Sequence, residues 1–196
     1  MEKLKALNEL CKMDARQSVF PVRDEISQQW RKRTQEETYE RISKIQLHEN
    51  VPEDIRSHFS ASLNLLAYSW YCYQFNGTAE FMALVSVEFS LKKIYPSNKY
   101  QKFPILLRRA ADENLLKDEN FKYANQSIEG IGAVHLIPPM YFSTEKTYVE
   151  TLVEYLPKMR NSLAHGVISI HNFGIESVFL CSEIINQLFA SPETDK

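Results

Sequence analysis

The sequence reads as an all-α protein: a bundle of about four core helices at residues 51–196 behind a charged helical extension at residues 1–50.

 Apolar residues recur every three or four positions along several segments. Helix-starting and helix-stopping residues bracket those segments. The 196 residues, 44% of them hydrophobic, are enough for one domain with a sizeable core.

The elements follow in chain order. Leu4, Leu7, Leu10 and Cys11 recur at helical spacing and predict a first helix. The stretch Arg23 to Asn50 is highly charged, with sparse apolar anchors at Ile26, Trp30, Tyr39 and Ile42. That pattern predicts a solvated helix or helix pair outside the core. Pro52 suits a first helical turn, and Glu53 and Asp54 complement the positive end of the helix dipole. The helix so started is predicted to run through the aromatic-rich SASLNLLAYSWYCYQF. Asn76 to Thr78 reads as a turn with Thr78 as N-cap. The helix after it, AEFMALVSVEFSLKKIY, is stopped by Pro96, and the two make a helical hairpin. A shorter helix, FPILLRRAADENLL, comes next. Asn125 to Met140, with Gly130, Gly132 and a Pro-Pro pair, reads as a loop. A further helix is predicted from near Ser143 or Thr144 to His165. Its apolar stripe of Tyr148, Leu152, Tyr155, Leu156, Met159 and Leu163 stays in phase across Pro157, which predicts one kinked helix and not two. Gly166 suits its C-terminal stop. The last helix, GIESVFLCSEIINQLF, is amphipathic through Val178, Cys181, Ile185 and Leu188.

Composition narrows the function classes. With five glycines and no GxGxxG or GxxxxGK[ST] motif, a glycine-rich phosphate loop is not expected. A net charge of −2 supplies no global basic field, so any nucleic-acid contact must be local. Three cysteines, none in a CxxC pair, point to reduced thiols, to no zinc cluster and to a cytoplasmic protein. No cofactor and no metal is expected. The amphipathic N-terminus lacks the apolar core of a signal peptide, and no run of about 18 apolar residues exists to span a membrane.

The chemistry-bearing residues concentrate in KMRNSLAHGV. On a helix Asn161 and His165 are i,i+4 neighbours on one face, opposite the apolar stripe. Arg160 lies at the stripe's edge, about 140° from His165 at roughly 100° per residue. Glu88 falls on an apolar face with Phe81, Leu84, Leu91 and Tyr95. A carboxylate there needs a partner, and Arg160 is the best-placed cation. The Glu88 helix is therefore predicted to pack beside the Arg160 helix. Structural readings stand beside the functional ones: His165 as a complement to the helix dipole, Asn161 as a surface residue, Glu88 with Arg160 as a plain ion pair.

MRNSLAHG near one helix end, with a further amphipathic helix after it, resembles the HEPN superfamily of α-helical bundles, whose motif is an Arg, a polar residue and, after three to five further residues, a His. The resemblance covers roughly residues 52–189, and ALVSVEFSLKKIY and LLRRAADENLL share it. It implies a metal-independent endoribonuclease of a toxin or phage-defence kind. In that reading His165 is general base or acid, Arg160 holds the phosphate, Asn161 orients either, and Glu88 braces Arg160. It also implies a homodimer whose two motifs share a cleft, RNA as substrate, and an antitoxin or other protein as partner. Residues 1–50 have no counterpart in it. Two further readings remain open: a non-catalytic HEPN-like module for dimerisation, ligand or RNA binding, and a helical scaffold whose N-terminal region binds a protein. The aromatic helix is either core or a stacking surface for bases.

Overall fold

The computed structural model describes residues 4–24, 26–98, 100–122, 124, 146–166, 171 and 173–190. The chain is mostly helical. Six α-helices carry the described residues: α1 Gln35–Ser43, α2 Glu53–Tyr68, α3 Phe75–Ile94, α4 Phe103–Asp112, α5 Tyr148–Ala164 and α6 Gly174–Leu188. A two-stranded antiparallel hairpin precedes them, β1 Val22–Arg23 and β2 Trp30–Arg31, pairing Val22 with Arg31 and Arg23 with Trp30. Among the described residues no helix is long and apolar enough to cross a membrane.

Helix α3 is the central post, in contact with α2, α4, α5 and α6. Small residues make this possible. Ala79, Ala83, Ser86 and Ser90 are buried along it, and small side chains let neighbouring helices approach. The buried hydroxyls of Ser86 and Ser90 donate back to the carbonyls of Met82 and Ser86, at 2.9 and 2.8 Å, so their burial leaves no orphan donor. Val87, Leu84 and Leu91 of α3 meet Phe59 and Leu66 of α2, Leu106 and Leu107 of α4, Leu152 and Leu156 of α5, and Ile184 and Ile185 of α6 in one core cluster.

Several local expectations hold. Pro52 stands at the N-cap of α2, α3 ends just before Pro96, and α5 is one helix containing Pro157. Gly166 follows the end of α5 with φ +77°, the left-handed conformation that a glycine C-terminal stop supplies. The start of α5 is set by Thr147, whose side chain accepts from Glu150 N–H while Glu150 reaches back to the N-cap backbone. Both Asp118 carboxylate oxygens accept from the next two backbone N–H groups, Tyr148 and Val149. The expected loop at Asn125–Met140, and the earlier start at Ser143 or Thr144, lie outside the described residues.

Other expectations are corrected. The helix predicted over Leu4 to Cys11 is only a 3-10 turn at Leu7–Glu9, and Leu4 and Leu7 are exposed. Arg23 to Asn50 holds the hairpin from the last residue of β1 onward and, among the described residues, the single helix α1. The Asp24 carboxylate accepts from the N–H groups of Ile26 and Ser27 and from the Ser27 hydroxyl, an alternative that competes with a helical turn. Of its four anchors Ile42 alone is buried, while Ile26, Trp30 and Tyr39 are exposed. Ile42, Ile45 and Val51 join the main core, and the Asn186 side chain ties α6 to this region through His48 N–H and the Gln46 carbonyl.

Helix α2 stops at Tyr68, short of the predicted Phe75. The N-terminal segment supplies the reason: Asp14 N–H donates to the Trp70 carbonyl at 2.9 Å, and the Asp14 carboxylate accepts from Tyr73 N–H at 3.0 Å. A continuing helix would use those groups internally. Asn76 to Thr78, predicted as a turn, lies inside α3. Gly77 faces α5 there, and a Cβ on it would make only ordinary contact with Leu163, at 3.8 Å.

Candidate functional site

Helix α5 carries its motif at the C-terminal end. The residue before the motif's Asn turns inward and the rest turns outward. Arg160 is half-buried against α3, with its Nη2 donating to Glu88 Oε2 at 3.1 Å and its guanidinium carbon 5.8 Å from the centre of the Phe81 ring. The predicted pairing of Glu88 with Arg160, and of their helices, is what the structure contains. Glu88 is 13% exposed and also accepts from Lys92 one turn later on α3, at 2.6 Å. One carboxylate therefore stands between two cations. Lys92 was not singled out in the sequence, although its i,i+4 spacing from Glu88 was the available signal.

Asn161 and His165 are exposed. His165 is the C-cap of α5, and its backbone N–H donates to the Asn161 carbonyl at 3.0 Å. Among the described residues neither side chain has a hydrogen-bond partner. The structure thus brings Glu88 and Arg160 together and leaves Asn161 and His165 on the surface of the same helix end. The Arg160 Nε is buried without a partner among the described residues.

A second polar centre lies on α3, and sequence reasoning missed it. Glu80 is 1% exposed, in phase with the buried Ala83, Leu84, Val87 and Leu91; that phase was its signal. Burial pushes its carboxyl up to about 8, a hydrogen bond from Ser177 opposes the shift, and the charge of Glu176 adds to it. His171 Nε2 lies 3.4 Å from Glu80 Oε1, but Oε1 has no hydrogen-bond partner of good geometry among the described residues. Burial also lowers the His171 pKa. At neutral pH this is a contact between two uncharged groups and not an ion pair. His171 Nδ1 accepts from Phe173 N–H at 3.2 Å, and Tyr73 O–H is bonded to the backbone of the same residue. His171 is held as a structural histidine, with both ring nitrogens facing a partner.

The cysteines are unpaired, and burial raises the thiol pKa of Cys181 far above the reactive range. Among the described residues no group of three or more His, Cys, Asp or Glu side chains is placed to hold a metal ion. Comparison of the chain with protein-family models, with curated proteins and with solved structures finds no match.

Proposed function

We propose that the chain is a metal-independent endoribonuclease of the HEPN kind, acting as a homodimer in which two α5 ends share a cleft. The observation that carries this reading is the division of the motif: a half-buried Arg160 braced by Glu88, beside an exposed His165 and Asn161 whose side chains have no hydrogen-bond partner among the described residues. RNA supplies its own nucleophile. In the proposed step the 2′-oxygen attacks the adjacent phosphorus, the bond to the 5′-oxygen breaks, and the products are a 2′,3′-cyclic phosphate and a 5′-hydroxyl. His165 takes the proton from the 2′-hydroxyl or returns one to the leaving oxygen, since an imidazole ring nitrogen can accept a proton and a ring N–H can donate one. Arg160 stabilises the added negative charge on the phosphoryl oxygens through N–H groups not used by Glu88. Asn161, one turn from His165, orients the imidazole or the phosphate. Because Arg160 faces α3 while His165 faces solvent, a second copy of the chain completes the set.

The test is incubation of the purified protein and its His165→Ala variant with mixed RNA in excess EDTA. Cleavage leaving cyclic phosphate ends, reduced about 100-fold or more in the variant, is the expected result for loss of a general acid or base. Intact RNA with the wild-type protein across several substrates rejects the enzyme. The engagement of Arg160 by Glu88 favours one second reading, a non-catalytic dimerisation or ligand-binding module. In that case His165→Ala changes dimer stability and leaves RNA untouched. An antitoxin or other protein partner belongs with either reading, and co-purification with the native protein tests it.

A further inference from the structure

A small cavity opens between the N-terminal region and the bundle. Its walls include Gln17, Arg33, Thr38, Tyr73, Asn76 and His171. Arg33 is the unusual member. It is half-buried, and among the described residues it has no hydrogen bond and no ion pair within 4 Å. Burial, first, and the nearby Arg41 disfavour its charge, while the charges of Glu176 and Glu37 favour it.

The carboxylates whose charges reach it are engaged by other arginines. Arg41 is already paired with Glu176, Asp14 with Arg16, and Glu37 with Arg31. Glu80 is held in its neutral form behind the cavity, and His171 is neutral. Arg33 is left without a direct ion-pair partner among the described residues. A guanidinium taken partly out of water without an anion is costly, and its planar fork suits an oxyanion. Further donors face the same space: one amide hydrogen of Gln17 is taken by the Ser69 carbonyl and one of Asn76 by the Tyr73 carbonyl, which leaves the second hydrogen of each.

We propose that this cavity is a binding site for a phosphate group, free or carried on a larger molecule, with Arg33 as its principal ligand. The site is separate from Arg160 and does not rest on the endoribonuclease reading. It lies at the same end of the bundle as His165, because Asn76 in its wall precedes Gly77, which packs against Leu163.

The test is calorimetric titration of the full chain with inorganic phosphate and with phenyl phosphate at constant ionic strength. Wild type, Arg33→Gln and Arg56→Gln are compared. Arg56 is exposed on α2, 13 residues before Ser69 and so about 20 Å away along the helix. It controls for the simple loss of one positive charge. Saturable binding that weakens about tenfold or more in Arg33→Gln and is unchanged in Arg56→Gln is expected. Tighter binding of phenyl phosphate assigns the site to a phosphate ester, and tighter binding of the inorganic ion to free phosphate. Absence of saturable binding to wild type, or equal weakening in both variants, overturns the proposal. Should Arg33→Gln fail to fold, labelling of wild-type arginines with phenylglyoxal decides. Phosphate must slow modification of Arg33, and an unchanged rate rejects the site.

Discussion

Glu80 and Glu88 stand eight residues apart on α3, about 12 Å along one helix axis, yet they meet opposite environments. Glu88 reaches the edge of the bundle, where Lys92 and Arg160 bracket its carboxylate. Glu80 points into the packing between α3 and α6, where it finds a serine hydroxyl, an uncharged imidazole and the like charge of Glu176. The first braces a candidate functional arginine. The second is a carboxylic acid kept protonated by desolvation. The difference teaches that residue type and helix do not decide ionisation; the neighbours brought by other helices do.

The largest effect should come from reversing the charge at the buried position. Glu80→Lys places an ammonium where the nearest carboxylate, Glu176, is engaged by Arg41, and should destabilise the fold by more than about 3 kcal/mol. Thermal melting followed by circular dichroism measures this, and a wild-type Tm would contradict the burial of Glu80.

Glu80→Gln sharpens the contrast through pH. The folded carboxyl titrates at about 8 against an ordinary value of 4.5, so the folded state holds a proton that the unfolded chain releases. This contribution is fully present below 4.5, falls as pH rises through the window, and is lost above about 8. His171, with a lowered pKa, works in the opposite sense, gaining stability as pH rises toward 6.5. The comparison of variant with wild type therefore isolates Glu80. Glu80→Gln should be the more stable by about 1–3 kcal/mol at pH 8, with the gap closing toward pH 4.5. Chemical denaturation at a series of pH values gives the answer, and a constant gap would mean that Glu80 is not the titrating group.

Two smaller effects probe the exposed end. Gly166→Ala puts a side chain at φ +77° and should cost about 1 kcal/mol of stability, with the surrounding space open. Glu88→Gln removes the charge between two cations at a partly exposed site and should change stability by less than about 1 kcal/mol. Under the proposed function its effect on RNA cleavage exceeds its effect on the melting temperature, because Arg160 loses its brace. Equal effects, or none on cleavage, would reduce the pair to a structural contact.

The sequence by itself determined features whose causes lie within a few residues. Pro52, Pro96 and Gly166 mark helix ends because backbone geometry acts locally. The stripe continuing through Pro157 identified one helix, and a carboxylate on an apolar face demanded a cation, which led from Glu88 to Arg160. The tertiary structure decided what depends on distant partners. Asp14 ends α2 by binding Tyr73, 59 residues away. Asp24 side-chain bonds favour a hairpin where charge patterning alone suggested a helix. Arg33 looked like one charge among many until α1 and the turn after α2 enclosed it. Glu80 differs from Glu88 only by which helices close over it. Helix caps and periodicity are short-range and survive in the one-dimensional record, whereas desolvation and pairing are set by groups that folding brings together.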